Sequence, residues 1–461
     1  MRNSLTIYEL LQRTDAKFRT LVSFCCICSF AILSGCSGKE DKVGESEIMN
    51  WKDGKNGAIS ITYDDASINQ FRQALPIMDT LKIKGTFYIN TAHIRDNRIP
   101  PKFIGRSIDE IIRETATKPT DRSNLFERAS AIRFTGIKGA VEFHNNAGSL
   151  FENEKYDEAF KVIDDGYAEV RKQGKKPREW RGPSGEMITW DEIKTFAANG
   201  HEFGSHTISH PRLAVLDEEN MLYELEKCKE EIQMVLGDDH TFSAECPFGT
   251  ENERVMEYAY KVHPALRNRM PEPFLEEINR WNDMTPGMSD KPYIQWQRGP
   301  LAKTSVPLMK SWVDTLVARD NVWLVLTFHG VDGIGWEAKP HQELKEYFSY
   351  MKEHEENLWI APFRDVTKYM REKMAGRVNA SMKGEEIVVQ LEHSLDKDLY
   401  NYPLTVKTYV PEDWTQVSLR AADATEKNES KVLVVKPESD EKGKYVMYPI
   451  APHTSVILAG S

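Results

Sequence analysis

The chain has 461 residues, 40% of them hydrophobic and 28% charged, which is the composition of folded rather than disordered protein and a length suited to two or three domains. Its formal charge of −11 at pH 7 excludes a nucleic-acid partner, because phosphate recognition needs a basic face. Neutral sugars are untouched by that argument, and nothing in the sequence names a protein partner.

Lys17 and Arg19 precede an apolar run from Leu21 to Leu33, too short for a comfortable membrane span and suited to the core of a signal peptide. It ends in Leu33-Ser34-Gly35-Cys36, and a polar Ser37-Gly38-Lys39-Glu40-Asp41 stretch follows. Small residues before a cysteine resemble a bacterial lipoprotein signal. That resemblance implies a leader over residues 1–35, a lipidated Cys36, and a place in the cell envelope, periplasmic or surface-exposed, with the lipid as the sole membrane contact. An ordinary secretory signal or an uncleaved anchor fits the same pattern. Residues 36–50 read as a polar tether. Cys25, Cys26, Cys28 and Cys36 belong to this region, leaving Cys228 and Cys246 in the body, which is no disulfide framework and no CxxC metal pattern.

Beyond the tether, strands and helices alternate. Ala58–Tyr63 is a β-branched run with the look of a buried strand. Leu75, Met78 and Leu81 give Phe71–Lys82 helical spacing, Gly85 stops it, and Thr86–Ile89 is the next strand. Thr189-Trp190-Asp191-Glu192 has the form of a capping box opening a helix to about Gly200, with a strand to follow over His201–Ser205. Asp217–Leu236 carries an apolar stripe of Met221, Leu225, Cys228, Ile232 and Val235, which places Cys228 in the core. Thr241–Ala244 and the apolar Val322–Phe328 are further strands. This alternation predicts a parallel sheet, open or closed into a barrel, over residues 51–375. Residues 93–186 interrupt it as a charged, helical insertion, and residues 262–300, rich in Pro and Trp, read as long loops. From residue 376 to 461 the pattern changes to short strands at Glu386–His393, Leu404–Val410, Gln416–Arg420, Lys431–Lys436, Lys444–Ile450 and Ser455–Ala459, a small β-sandwich whose removal is expected to leave a folded barrel.

Four segments carry candidate chemistry, each just after a predicted strand. Asp64 and Asp65 end the first; on spacing alone they bind a cation and face a reactant, or merely cap a turn. His206 and His210 are four apart, but Pro211 disfavours helix at His210, so a strand-to-helix loop is expected. Two His and a carboxylate form the open coordination of a catalytic metal. His329 follows the most apolar strand, where barrel enzymes collect catalytic groups, though a half-buried structural imidazole reads equally well from one residue. Glu245-Cys246-Pro247-Phe248-Gly249 is an irregular turn able to aim a backbone N–H at an oxyanion, or only a turn. Trp336, close behind His329, either walls a sugar subsite or anchors its loop. Cys246 has no base beside it and does not read as a nucleophile.

In order and strand context these segments resemble the NodB-homology polysaccharide deacetylases, carbohydrate esterase family 4. TYDDA resembles that family's TFDDG, SHTISHP its H-[ST]-x-x-H-P, CPFG the end of its R-P-P-[YF]-G, and LVLTFH its L-x-L-x-H. The resemblance implies a distorted (β/α) barrel, here with a helical insertion and a C-terminal β-sandwich. It implies that Asp65, His206 and His210 hold a divalent metal, usually Zn2+, with Co2+ or Ni2+ as alternatives. Asp64 would be the base that deprotonates a metal-bound water, the backbone N–H of Phe248 would stabilise the oxyanion, and His329 as imidazolium would protonate the leaving group. The implied reaction is hydrolytic deacetylation of an acetylated glycan, an N-acetyl amino sugar or an O-acetylated polysaccharide. Ala66 stands where the family has Gly. Glu245 stands where it has an Arg that orients the base, which leaves open a non-catalytic glycan-binding lipoprotein on a decayed scaffold. Arg267 and Arg298 are the candidates to replace that Arg.

Overall fold

The structure, a computed structural model, describes residues 42–271, 276–422 and 432–461. The expected leader, Cys36 and the first part of the expected tether lie outside the described residues. Among those described, no helix is long and apolar enough to cross a membrane.

The chain enters through β1 (Ser46–Ile48) and then β2 (Gly57–Asp64), buried along its whole length. A helix from Ile68 includes a wide π turn over Gln70–Ala74 before α1 (Leu75–Thr80). Pro76 lies at the start of α1 and has no N–H for an α-helical bond back into that turn, which accounts for the departure from the even helix expected there. β3 (Thr86–Ile89) follows. The insertion is helical as expected: α2 (Ile108–Glu114), α3 (Leu125–Ile132), α4 (Ala140–Glu152) and α5 (Tyr156–Gln173) surround their own apolar core. The chain then returns through α6 (Trp190–Ala198), where Thr189 and Glu192 form the full capping box, to β4 (Glu202–Ser205). Next come α7 (Glu218–Leu236), β5 (Ser243–Ala244), α8 (Glu253–Val262), β6 (Ala265–Leu266), β7 (Glu276–Ile278), β8 (Ile294–Arg298), α9 (Val306–Val317), β9 (Val322–Phe328), α10 (His341–Glu353), β10 (Leu358–Ile360) and α11 (Phe363–Ala375).

These strands form a curled parallel sheet in the order β6-β5-β4-β3-β2-β9-β8-β7. β9 pairs with β2 from Gly57 to Tyr63; β10 takes the first half of the other edge of β2, and β3 takes the last part, Thr62 to Asp64. This is the distorted (β/α) barrel. Because the strands run in one direction, the loops after β2, β4, β5 and β9 emerge at one rim, and Asp64, His206, Glu245 and His329 meet there.

Residues 262–300 correct the sequence reading. They hold β6, β7 and β8, three strands of the barrel. Two- to five-residue strands are too short to show a period, and β8 turns amides inward: Gln295 and Gln297 are buried and donate to the carbonyls of Arg267 and Asn268.

The C-terminal part adds β11 (Arg377–Lys383), β12 (Glu386–Glu392), β13 (Leu404–Tyr409), β14 (Val417–Ala421), β15 (Leu433–Val435), β16 (Glu438–Asp440), β17 (Gly443–Ile450) and β18 (Thr454–Gly460). They pair antiparallel in two sheets, β11-β12-β18-β14-β15 and β1-β13-β17-β16, a β-sandwich. β1 comes from the stretch read as tether, and its register sets Ser46 to Ile48 against Thr408 to Val406. β11 and β16 escape a hydrophobic pattern because their side chains are largely exposed. One apolar cluster joins Trp323, Trp359, Phe363 and Tyr369 of the barrel side to Val389, Leu391, Leu404 and Val406 of the sandwich.

Candidate metal centre and active-site cleft

Asp65 begins the loop after β2, and His206 and His210 lie in the loop after β4. Asp65 Oδ1 is 3.5 Å from His206 Nε2 and 3.2 Å from His210 Nε2. The donors of the three residues lie within 4.8 Å of one another. His206 Nδ1 donates to the carbonyl of Glu245 at 2.9 Å, which fixes the tautomer and leaves Nε2 bare on the side of Asp65, as a metal-binding imidazole requires. Two imidazole nitrogens and one carboxylate oxygen suit zinc, and cobalt or nickel equally.

The loops are held in strained backbone. Asp65, Ala66, Thr207, His210 and Phe248 have φ of 78°, 53°, 67°, 54° and 63°, left-handed conformations that cost non-glycine residues of order 1–3 kcal/mol each. Ala66, which stands where the resembled family has Gly, thus adopts a left-handed conformation at a cost. His210 at positive φ is not helical, as Pro211 led us to expect.

Asp64 is buried and gripped from both sides by Arg267, whose Nη1 and Nη2 donate to Oδ1 and Oδ2 at 2.6 and 2.7 Å. Nη1 also reaches Thr62 Oγ1 at 2.8 Å. Burial alone would raise the Asp64 carboxyl, but the Arg267 charge, with His206 and His329, holds it at about 2. Of the two candidates to replace the family's Arg, Arg267 is the one that reaches Asp64. Arg298 does not reach the site and donates instead to the carbonyls of Asn282, Met284 and Gln297. Glu245 is buried with one oxygen 3.2 Å from Arg267 Nη2, neither oxygen in a good hydrogen bond. Burial, reinforced by Asp64, pushes its carboxyl up despite Arg267.

His329 Nε2 lies 3.4 Å from Asp64 Oδ2. Burial pushes this imidazole down to about 4, Arg280 and Arg267 add to the effect, and Asp64 and Asp65 only partly oppose it. This surround favours the neutral ring over the imidazolium that the resemblance implies for protonating the leaving group. Gln70, unnoticed in the sequence, donates Nε2 to the carbonyls of both Asp64 and His329, the latter at 2.8 Å, tying the ends of β2 and β9 together. His93, also unnoticed, donates Nδ1 to the Asp65 carbonyl at 3.1 Å.

A cleft of about 460 Å³ opens on these groups, lined also by Phe248, Trp336, Trp281, Arg212 and Arg280. Trp336 is 49% exposed and packs edge-on against His329, with ring centres 4.6 Å apart. Phe248 meets the His210 ring at 4.7 Å. Cys228 and Cys246 are unpaired and buried. Burial raises both thiols, Cys228 to about 12, so neither is a nucleophile.

A family model described as "Polysaccharide deacetylase" matches residues 138–264. That stretch contains His206, His210 and the Phe248 turn and stops short of Asp64, Asp65 and His329 on either side. The family that the motifs resemble is thus the family this segment matches. A gellan lyase from Bacillus sp. is 24% identical over 319 residues, 62% of this chain, and the chain spans 12% of the length of that protein. A family 4 carbohydrate esterase from Streptomyces lividans, solved with acetate, is 9% identical with a TM-score of 0.32, covering 68% of this chain and 95% of its own. A chitin deacetylase from Colletotrichum lindemuthianum is 11% identical with a TM-score of 0.33, covering 69% and 90%.

Proposed function

We propose that this chain is a metal-dependent hydrolase that removes acetyl groups from a carbohydrate, an N-acetyl amino sugar or an O-acetylated polysaccharide. The observation that carries the reading is the convergence of Asp65, His206 and His210 beside a second, separately held carboxylate, Asp64. When bound by those three side chains, a divalent cation supplies Lewis acidity, which makes water acidic and an acetyl carbonyl electrophilic. Asp64 accepts a proton from the attacking water at Oδ2. His329 Nε2 stands next to that oxygen, so the proton passes to the imidazole and on to the departing amine or alcohol. Arg267 keeps Asp64 ionised and oriented. The left-handed turn at Phe248 presents backbone N–H to the developing oxyanion.

Acetate release from a panel of acetylated glycans by the zinc-loaded chain tests this directly. The alternative of a decayed, glycan-binding scaffold drew its support from Glu245. Arg267 weakens it, since the guanidinium that appeared missing is supplied from β6 and its loop. Anchoring through Cys36 in the cell envelope belongs to the same proposal and rests on the Leu21–Cys36 pattern; palmitate labelling that survives Cys36→Ala would refute it.

A further inference from the structure

Arg280 lines the cleft, yet it donates no hydrogen bond and forms no ion pair with any described residue; its Nη1 is buried and partnerless. Glu245, Asp64 and Glu251 act on this guanidinium only through space, without a direct pair, and a cation out of water whose donors are unfilled favours an anion that can reach them. The neighbouring cations are already engaged: Arg212, also in the cleft, by Glu152, and Arg267, buried behind it, by Asp64. The position of Arg280 is built. Its Nη2 lies where a Cβ on Gly249 would come within 3.3 Å, at the turn that follows Phe248, so it adjoins the reacting end of the cleft. Arg280 lies 5.3 Å over the ring of Trp281, which is still 67% exposed and leaves aromatic surface on which a pyranose ring can pack. Across Asp65 and His210 a second cavity of about 400 Å³ continues the groove. It repeats the combination: Arg178, in no direct ion pair among the described residues, donates to the Arg133 carbonyl and stacks 3.9 Å over the ring of Trp180.

We propose that the glycan is acidic, and that Arg280 binds the carboxylate of a uronic acid unit next to the acetylated sugar. This deepens the deacetylase reading and shares its cleft. A planar guanidinium suits a carboxylate through two parallel hydrogen bonds, which a hydroxymethyl group cannot replace.

The test is calorimetric titration of the full, zinc-loaded chain with deacetylated oligogalacturonate, oligoglucuronate and oligomannuronate, each beside its carboxyl-reduced counterpart. At least one acidic oligomer should bind about tenfold or more tighter than its reduced form. Arg280→Gln should erase that ratio, and Arg280→Lys, which keeps the charge without the fork, should retain part of it and serves if the first variant does not fold. Equal binding of acid and reduced forms, or a ratio that survives Arg280→Gln, would overturn the proposal. So would displacement by sodium acetate at equal carboxylate concentration, which makes Arg280 a product site. Acetate release from acetylated forms of the same oligomers is read separately: none released, with the carboxylate preference intact, defeats the deacetylase reading and leaves the subsite standing.

Discussion

On the proposed reading Asp65, His206 and His210 hold one cation between them, so His206→Ala is expected to abolish stoichiometric zinc binding and acetate release together; retained zinc would refute the ligand set. Asp64→Asn should keep the metal and lose turnover by about a hundredfold or more, the size of a general-base contribution, in steady-state assays of the zinc-loaded variant. Arg267→Met leaves Asp64 and Glu245 buried without their cation and should cost about 3–5 kcal/mol in denaturant unfolding. Adding Glu245→Gln should recover part of that loss, because the two residues share the charge. The five residues expected to carry the chemistry were legible because each follows a strand in the order of a resembled family. Arg267 was legible only as one of two candidates, since its reach depends on β6 pairing with β5 through two residues. Arg280 was not legible at all: it sits just beyond a three-residue strand in a stretch without period.

At the scale of elements, α11 is joined to the sandwich by Glu372, whose Oε1 accepts from the Tyr402 N–H at 2.9 Å while Oε2 has no hydrogen bond. Burial pushes this carboxyl up from 4.5 to about 7, against the pull of that hydrogen bond and of Lys368. A carboxyl raised on folding holds its proton more tightly in the native state. Its contribution to stability is full below 4.5 and is lost as pH rises through about 7. Glu372→Gln should flatten the fall in melting temperature over that window and be the more stable form at pH 8, as read by thermal melts across pH. The same melts showing an unchanged slope would mean that Glu372 titrates normally. The long elements here were readable from sequence: β9 and α7 agree with their apolar runs to within a residue. Of the shortest, β5 was read two residues too long at its start, and β6 and β7 were not read at all, because they rest on backbone pairing and neighbouring packing rather than on any pattern of their own.

For the whole molecule, the barrel and sandwich are less separable than the change of pattern at residue 376 implies. β1 precedes the barrel in sequence yet belongs to a sandwich sheet, and residues from both sides share one apolar cluster. Deleting residues 376–461 would strip β1 of its partner and expose Trp359 and Tyr369. The truncated chain is therefore expected to be insoluble or to melt well below the full one; a soluble product with native-like circular dichroism would contradict this. The fold class was legible because alternation of strand and helix survives a long insertion. The embrace of the two parts was not, since it depends on three residues, Ser46 to Ile48, in an otherwise polar stretch.

The account rests on three side chains from two distant loops meeting at one cation, and the most direct measurement is an anomalous-scattering map at the zinc edge from crystals of the zinc-loaded chain. It should show one strong peak bound by Asp65 Oδ1, His206 Nε2 and His210 Nε2, with Asp64 still in the grip of Arg267. A map with no peak there, or with either imidazole turned away from Asp65, would contradict it.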